Sequence, residues 1–230
     1  MTVLPARAMG RLADALRKAD LPDASGEHPG PRPGDDEATG PGSDALLSRF
    51  VAELEALTGR AHVVAGLTGA VAAILGVLDR IGERRVLSWD PASPELAQLC
   101  VELSRLGVRF EQCVLPADPA ERTRELGRVE PIQAGLTGSL AGLADTGSIV
   151  IEAGPGRGRL PSLLPPVHIA VLRRERLYRS LPTLLAADSG LVGRSSNLVI
   201  VTGPSRTADI EMKITHGVHG PRELHVVVVP

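Results

Sequence analysis

The run LHVVVV at residues 224–229 constrains this chain more than any other feature. Four consecutive valines leave no polar residue for a solvated side, so the segment reads as a strand covered on both faces, the usual condition of a parallel sheet. Parallel neighbours need crossover connections, and the preceding sequence supplies them. Short apolar runs at 62–65 and 85–89 flank a stretch whose Val71, Ile74, Leu75 and Leu78 share one helical face. Ser93 or Pro94 opens a further helix through Leu106, followed by an apolar run at 108–115, a shorter helix at 118–127 and a strand at 132–137. Ser43 is placed to cap a helix carrying Leu46, Leu47, Phe50, Leu54 and Leu57. Strands alternating with helices of this length predict an α/β fold with a mostly parallel sheet.

The second half changes character. Runs at 148–152 and 168–172 are separated by a Gly/Pro-rich loop too short for an ordinary crossover helix, a helix is predicted around 181–187, and strands at 197–202 and 224–229 close the chain. At the other end, residues 6–19 have the spacing of a helix, with Leu12 and Leu16 on one side. Residues 24–44 are dense in Gly, Pro and acids and offer almost nothing to bury, so they read as a flexible connector. The expected organisation is residues 1–44 as helix and connector, and 45–230 as one domain.

Composition narrows the function. Aromatic residues make up 2% of the 230 positions, so the core must be Leu, Val, Ile and Ala, and no base-stacking platform is available. A formal charge of −2 gives no basic footprint, which argues against nucleic acid. No run approaches the roughly 18 apolar residues of a membrane span, and the charged N-terminus has no apolar core of a secretory signal, so a soluble, cytoplasmic protein is expected. Cys100 and Cys113 show no CxxC spacing and read as reduced thiols. An iron–sulfur cluster normally needs four thiolates, so this chain alone is expected to hold none.

Ligands of open α/β sheets lie beyond the carboxyl ends of strands, which directs attention to three loops. In TGSLAGLADTGS, 137–148, small residues and hydroxyls can cup an anion, while Gly147 and Asp145 serve equally well as a tight structural connection. In GPGRGRLPS, 154–162, the phosphate-loop fingerprint fails, because no Gly-Lys-Ser/Thr follows; Arg157 and Arg159 remain able to reach an anion from a flexible hairpin-like loop. In GPSRTADIEMKITHGVHGP, 203–221, Ser205 or Thr207 is placed to cap a short helix beside Arg206, whose fork suits a carboxylate or phosphate. The plainer alternative there pairs Arg206 with Asp209. His216, His219 and His225, with Asp209 and Glu211, have the residue types of a metal set. Turns at Gly217 and Gly220 make hydrogen-bonded or core histidines the more usual outcome, and no metal is expected. His168 likewise reads as a core residue. Ser205, His219 and Asp209 lack the GxSxG elbow of a hydrolase.

The same loops carry a family likeness. GPSRTADIE at 203–211, GVHGP at 217–221 and LHVVVV at 224–229 closely resemble the C-terminal signature of LUD-domain proteins of the lactate-utilization protein C type. LADTGS at 143–148 is similar to that family's middle motif, and SLLPPVHIAVL at 162–172 matches the region after it. The resemblance covers residues 45–230. It implies the three-layer open sheet shared by ribose-phosphate isomerases, glucosamine-phosphate isomerases and CoA transferases. It also implies a part in oxidising L-lactate to pyruvate beside iron–sulfur partner proteins, in the branch that carries no cluster, with no cofactor of its own. Carried over by position, the ligand-binding set is Thr137, Thr146, Gly147, Ser148, Ser205, Arg206, Thr207 and Gly220, taking a small carboxylate or phosphate. Asp145, Asp209 and Glu211 are the candidate catalytic acids; Asp145 stands where the family often has Glu, one methylene longer. Two other readings stay open: a free-standing sugar-phosphate isomerase or CoA-transferase-like enzyme, and a non-catalytic assembly or regulatory protein. A homo-oligomer is compatible with each.

Overall fold

The computed structural model describes residues 41–195, 197–208, 214–216 and 220–230, with Arg194, 206–208 and 214–216 described by backbone alone. The expected helix at 6–19 and most of the connector lie outside the described residues. The first element is helix α1, Asp44–Ala56, opened by Ser43, whose hydroxyl accepts the Leu46 N–H at 3.3 Å. Ser43→Ala is expected to lower stability by about 1 kcal/mol in denaturant titrations, the usual cost of losing an N-cap.

Six strands form one sheet: β1 (Arg60–Val63), β2 (Arg85–Ser88), β3 (Arg109–Glu111), β4 (Ala134–Gly138), β7 (Val167–Arg173) and β12 (Glu223–Val229), in the order β1-β12-β7-β4-β2-β3. Every neighbouring pair is parallel. The valine run occupies β12, between β1 and β7, with Val226, Val227 and Val228 all buried. Its two-sided burial, read from the sequence, is what this position requires. The crossovers are helices α2 (Leu67–Ile81), α3 (Ala97–Arg105) and α4 (Pro119–Val129). Helix α3 starts later than the sequence suggests, because the Leu96 and Ala97 N–H groups first close a turn on the Ser93 carbonyl. The 108–115 run is strand only at Arg109–Glu111; it is the sheet edge, and Val114 is left exposed.

A second sheet was legible in the sequence only in part. It has the order β8-β5-β6-β9, from β5 (Ala141–Leu143), β6 (Ser148–Glu152), β8 (Leu177–Tyr178) and β9 (Leu198–Val201). It packs with α1 on one face of the parallel sheet: a side chain at Gly142 would meet Leu172, Leu177 and Phe50. Helices α2 and α3 cover the opposite face, where Arg80 of α2 pairs with Glu223 of β12. Two short helices, α5 (Leu181–Ala187) and α6 (Leu191–Arg194), adjoin the second sheet.

The segment after Gly203 corrects an expectation. Instead of a helix capped by Ser205 or Thr207, the backbone forms an antiparallel pair, β10 (Arg206–Ala208) with β11 (Ile214–His216). Gly203 turns the chain at φ 88°, Ser205 donates its N–H to the Pro221 carbonyl, and the β-branched residues Thr207, Ile214 and Thr215 favour extended backbone.

Candidate functional site

The carboxyl ends of β2, β4, β7 and β12 meet in a two-lobed cleft. The larger lobe, about 490 Å³, lies between the starts of α2 and α3 and is walled by Leu67, Ala70, Leu99, Val171 and Val229. The smaller, about 250 Å³, is lined by Trp89, Ser139, Glu152, Arg157 and Arg176. Pro94, Glu95, Val171 and Arg173 border both lobes, so a carboxylate and a guanidinium stand where the lobes join. Neither α2 nor α3 has a side-chain cap; at α3 the Ala97 N–H is instead taken by the Ser93 carbonyl.

The polar groups of the small lobe are held by the fold. Trp89 follows β2 directly, is 2% exposed, and donates its indole N–H to the Gly158 carbonyl at 3.0 Å. Glu152 ends β6 and is buried; it accepts from Arg157 at 3.3 Å and from the Ser195 hydroxyl. A buried carboxylate needs such partners to remain charged. The Arg157 guanidinium lies 6.0 Å from the Trp89 ring centroid and 3.9 Å from Glu95. Its loop is a closed turn rather than a loose hairpin: Gly154 and Arg157 exchange backbone hydrogen bonds, and the Gly156 carbonyl accepts the Asp90 N–H at 2.8 Å. At the end of β4, Gly138 allows close approach, since a side chain there would press on Glu95 at 3.0 Å and the Trp89 ring at 3.1 Å.

The residues singled out from sequence fall in three places. Thr137 is buried in β4 and shares a 2.9 Å hydrogen bond with His168 of β7, inside the core. Asp145, Thr146 and Gly147 lie in the turn between β5 and β6, and hydroxyls run from Thr146 to Ser148, the first residue of β6, to Thr202 at 2.7 and 2.8 Å. One Asp145 oxygen is buried without a hydrogen-bond partner. Gly147, at φ 62°, lies against the α1 backbone. Ser205 and Gly220 are neighbours, just before β12 begins. Apart from Thr137, these groups gather toward the amino edge of the parallel sheet, away from the cleft. The reason is direction: β9 runs antiparallel to β6 in the second sheet, so the loop after it returns to where β12 starts. Asp209 and Glu211 lie outside the described residues, as do the side chains of Arg206 and Thr207. Arg157 does line the cleft. Trp89, Glu95, Glu152 and Arg173 escaped the sequence reading, although Trp89 and Arg173 stand at strand ends where the carboxyl-edge rule would have looked.

His168 and His225 are core groups and His62 is half-buried, whereas His216 is described by backbone alone and His219 lies outside the described residues. His225 is 1% exposed and its ring lies edge to edge with that of His62, the planes 16° apart and Nδ1 of His225 2.9 Å from Nε2 of His62. Burial lowers His62, and pushes His225 down to about 4 and His168 to about 3. Among the described residues no three His, Cys, Asp or Glu side chains converge as a metal site.

Comparison with known proteins gives a consistent family picture. The model of the LUD domain matches residues 47–229. A lactate utilization protein C from Deinococcus radiodurans is 33% identical over 73% of this chain and 71% of its own length. Another, from Macrococcus caseolyticus, is 29% identical over 66% of this chain and 64% of its own. An uncharacterized protein of Neisseria meningitidis is 32% identical over 43% and 42%. The chain thus spans less than two thirds of the length of the last two relatives. Among solved structures, a DUF162 family protein from Deinococcus radiodurans superposes with a TM-score of 0.58 at 23% identity, covering 81% of this chain and 97% of that one. At that identity the likeness speaks for the fold.

Proposed function

This chain belongs to the LUD domain family, and we propose that it serves lactate utilization by binding a small carboxylate or phosphate in the carboxyl-edge cleft, beside iron–sulfur proteins that carry the electrons. The relatives named lactate utilization protein C support the pathway. The two cysteines, one buried on α3 and one half-buried after β3, support leaving clusters to partners. The observation that carries the ligand reading is the pinned Arg157, held by Glu152 over Trp89, with Arg173 close by on the same small lobe. Guanidinium groups offer paired donors that match carboxylate and phosphate oxygens.

Calorimetry with L-lactate, pyruvate and inorganic phosphate tests this. Arg173→Ala is expected to weaken the best of them by about 1.5–3 kcal/mol, the range for a hydrogen bond to a charged group, without moving the melting temperature. Arg206→Ala serves as the companion variant: if affinity falls there and holds at Arg173, the ligand belongs to the β10–β11 hairpin instead. Absence of binding by all three anions removes the reading altogether. A catalytic alternative draws on Glu95, whose second oxygen is buried without a partner beside Arg157. Turnover by the purified chain alone, lost in Glu95→Gln, would favour it.

A further inference from the structure

We propose that the large lobe is a second compartment, taking an organic anion with an extended apolar body at the same time as a small anion occupies the small lobe. The inference rests on the small-lobe reading above and extends it. A three-carbon hydroxy acid is satisfied by the small lobe alone, with its arginines and serine. The large lobe adds about 490 Å³, within the range of roughly 300–1,000 Å³ that encloses much larger organic ligands. Its chemistry also differs. Leu67, Ala70, Leu99, Val171 and Val229 give it aliphatic walls, whereas the small lobe is edged by three arginines and three glutamates. The charge enters the large lobe at the junction, where Arg173 borders both spaces and its nearest carboxylate, Glu175, is 3.8 Å away. An apolar body along the walls with its carboxylate, sulfonate or phosphate at Arg173 satisfies both surfaces. The small ligand then lies on the far side of the same guanidinium, within reach of Arg157. Two ligands meeting at Glu95 and Arg173 are an arrangement for bringing a small acid against a second, larger molecule.

The test uses the full chain and two probes. The dye 8-anilinonaphthalene-1-sulfonate, an apolar body with one sulfonate, reports the large lobe by its own fluorescence. L-lactate and inorganic phosphate are followed through Trp89, the one tryptophan of the chain, which lines the small lobe. Ala97→Phe fills the large lobe from α3, and Gln98→Phe does so from the next position should the first variant melt non-cooperatively. Either is expected to weaken dye binding by at least about tenfold, a loss of about 1.4 kcal/mol, while the Trp89 response to lactate or phosphate stays as in the parent. Arg173→Ala is expected to weaken both. Dye affinity unmoved by both fillings, or dye displaced competitively by lactate or phosphate, overturns the second compartment. Trp89 silent to both small anions, with the dye still sensitive to the fillings, instead sinks the small-lobe reading and leaves an organic-anion site in the large lobe.

Discussion

Acidification from pH 6 to pH 4 is expected to remove roughly 5 kcal/mol of folding stability, through buried histidines rather than surface ion pairs. His168 is fully buried, its Nε2 bonded to Thr137 and its Nδ1 without a protein partner. Burial holds it at about 3. His225 is held at about 4, first by burial, with Glu223 opposing the shift and His62 and Arg80 adding to it. Unfolded histidine titrates near 6.5, so between these values the unfolded chain binds more protons than the folded one. The contribution is therefore complete above about 6.5, and it falls as pH drops, ending near 4 for His225 and near 3 for His168. Each histidine contributes at most about 1.4 kcal/mol per pH unit; partial protonation of the unfolded chain near pH 6 and of His225 near pH 4 trims the sum for two groups over two units to the total above. That is comparable to the whole stability of many domains. His62 and His225 share a hydrogen bond and take up their first proton as a pair. Urea titrations at pH 4, 5, 6 and 7 measure the slope. The double variant Thr137→Val, His168→Leu replaces both partners by apolar groups, which is often nearly neutral, and should reduce the slope by one proton. An unchanged slope would assign acid sensitivity to other groups.

The parts of the fold that the sequence displayed are those encoded by local periodicity. The β12 run, the apolar face of α2 and the Ser43 cap each carry their signal within a few residues. The second sheet is legible only in part: β6 and β9 match the runs at 148–152 and 197–202, whereas β5 and β8 carry no such signal. Ala141, Gly142 and Leu143 look like loop residues, yet Gly142 is there because a side chain would come within 2.7 Å of both Leu172 and Leu177, residues 30 or more positions away. The same sheet decides which loops reach the cleft. The rule that ligands lie at carboxyl ends applies to the parallel sheet, and β9 belongs to the other one. The cleft itself draws Glu95 from before α3, Glu152 from β6, Arg157 from a turn and Arg173 from β7. No window of sequence contains them together, and only the tertiary fold makes them neighbours. Arg157 was within reach because its Gly-rich setting already marked a turn.

Gly147→Ala is expected to lower stability by about 2–5 kcal/mol, far more than an ordinary surface change. Two causes add. At φ 62° any side chain sits in the left-handed region, which costs an L-residue about 1–2 kcal/mol. The new Cβ would also stand 2.2 Å from the Leu54 nitrogen and 2.6 Å from the Glu53 carbonyl carbon and Leu54 Cα. These are backbone atoms, so no rotamer change relieves the contact. Helix α1 must move, or the β5–β6 turn must open, and overpacking of this kind adds about 1–3 kcal/mol. Opening the turn would strain the Thr146–Ser148–Thr202 hydroxyl chain as well. Gly82→Ala is the internal reference: Gly82 ends α2 at φ 65° with open space around the added atom, so it pays the backbone term alone. Chemical denaturation of both variants at pH 7 isolates the packing term as their difference. A ligand-holding role for Gly147 makes the opposite forecast, a fold of near-parent stability with weakened anion binding. Equal losses at Gly82 and Gly147 would mean that α1 yields freely and that close approach is not why position 147 is glycine.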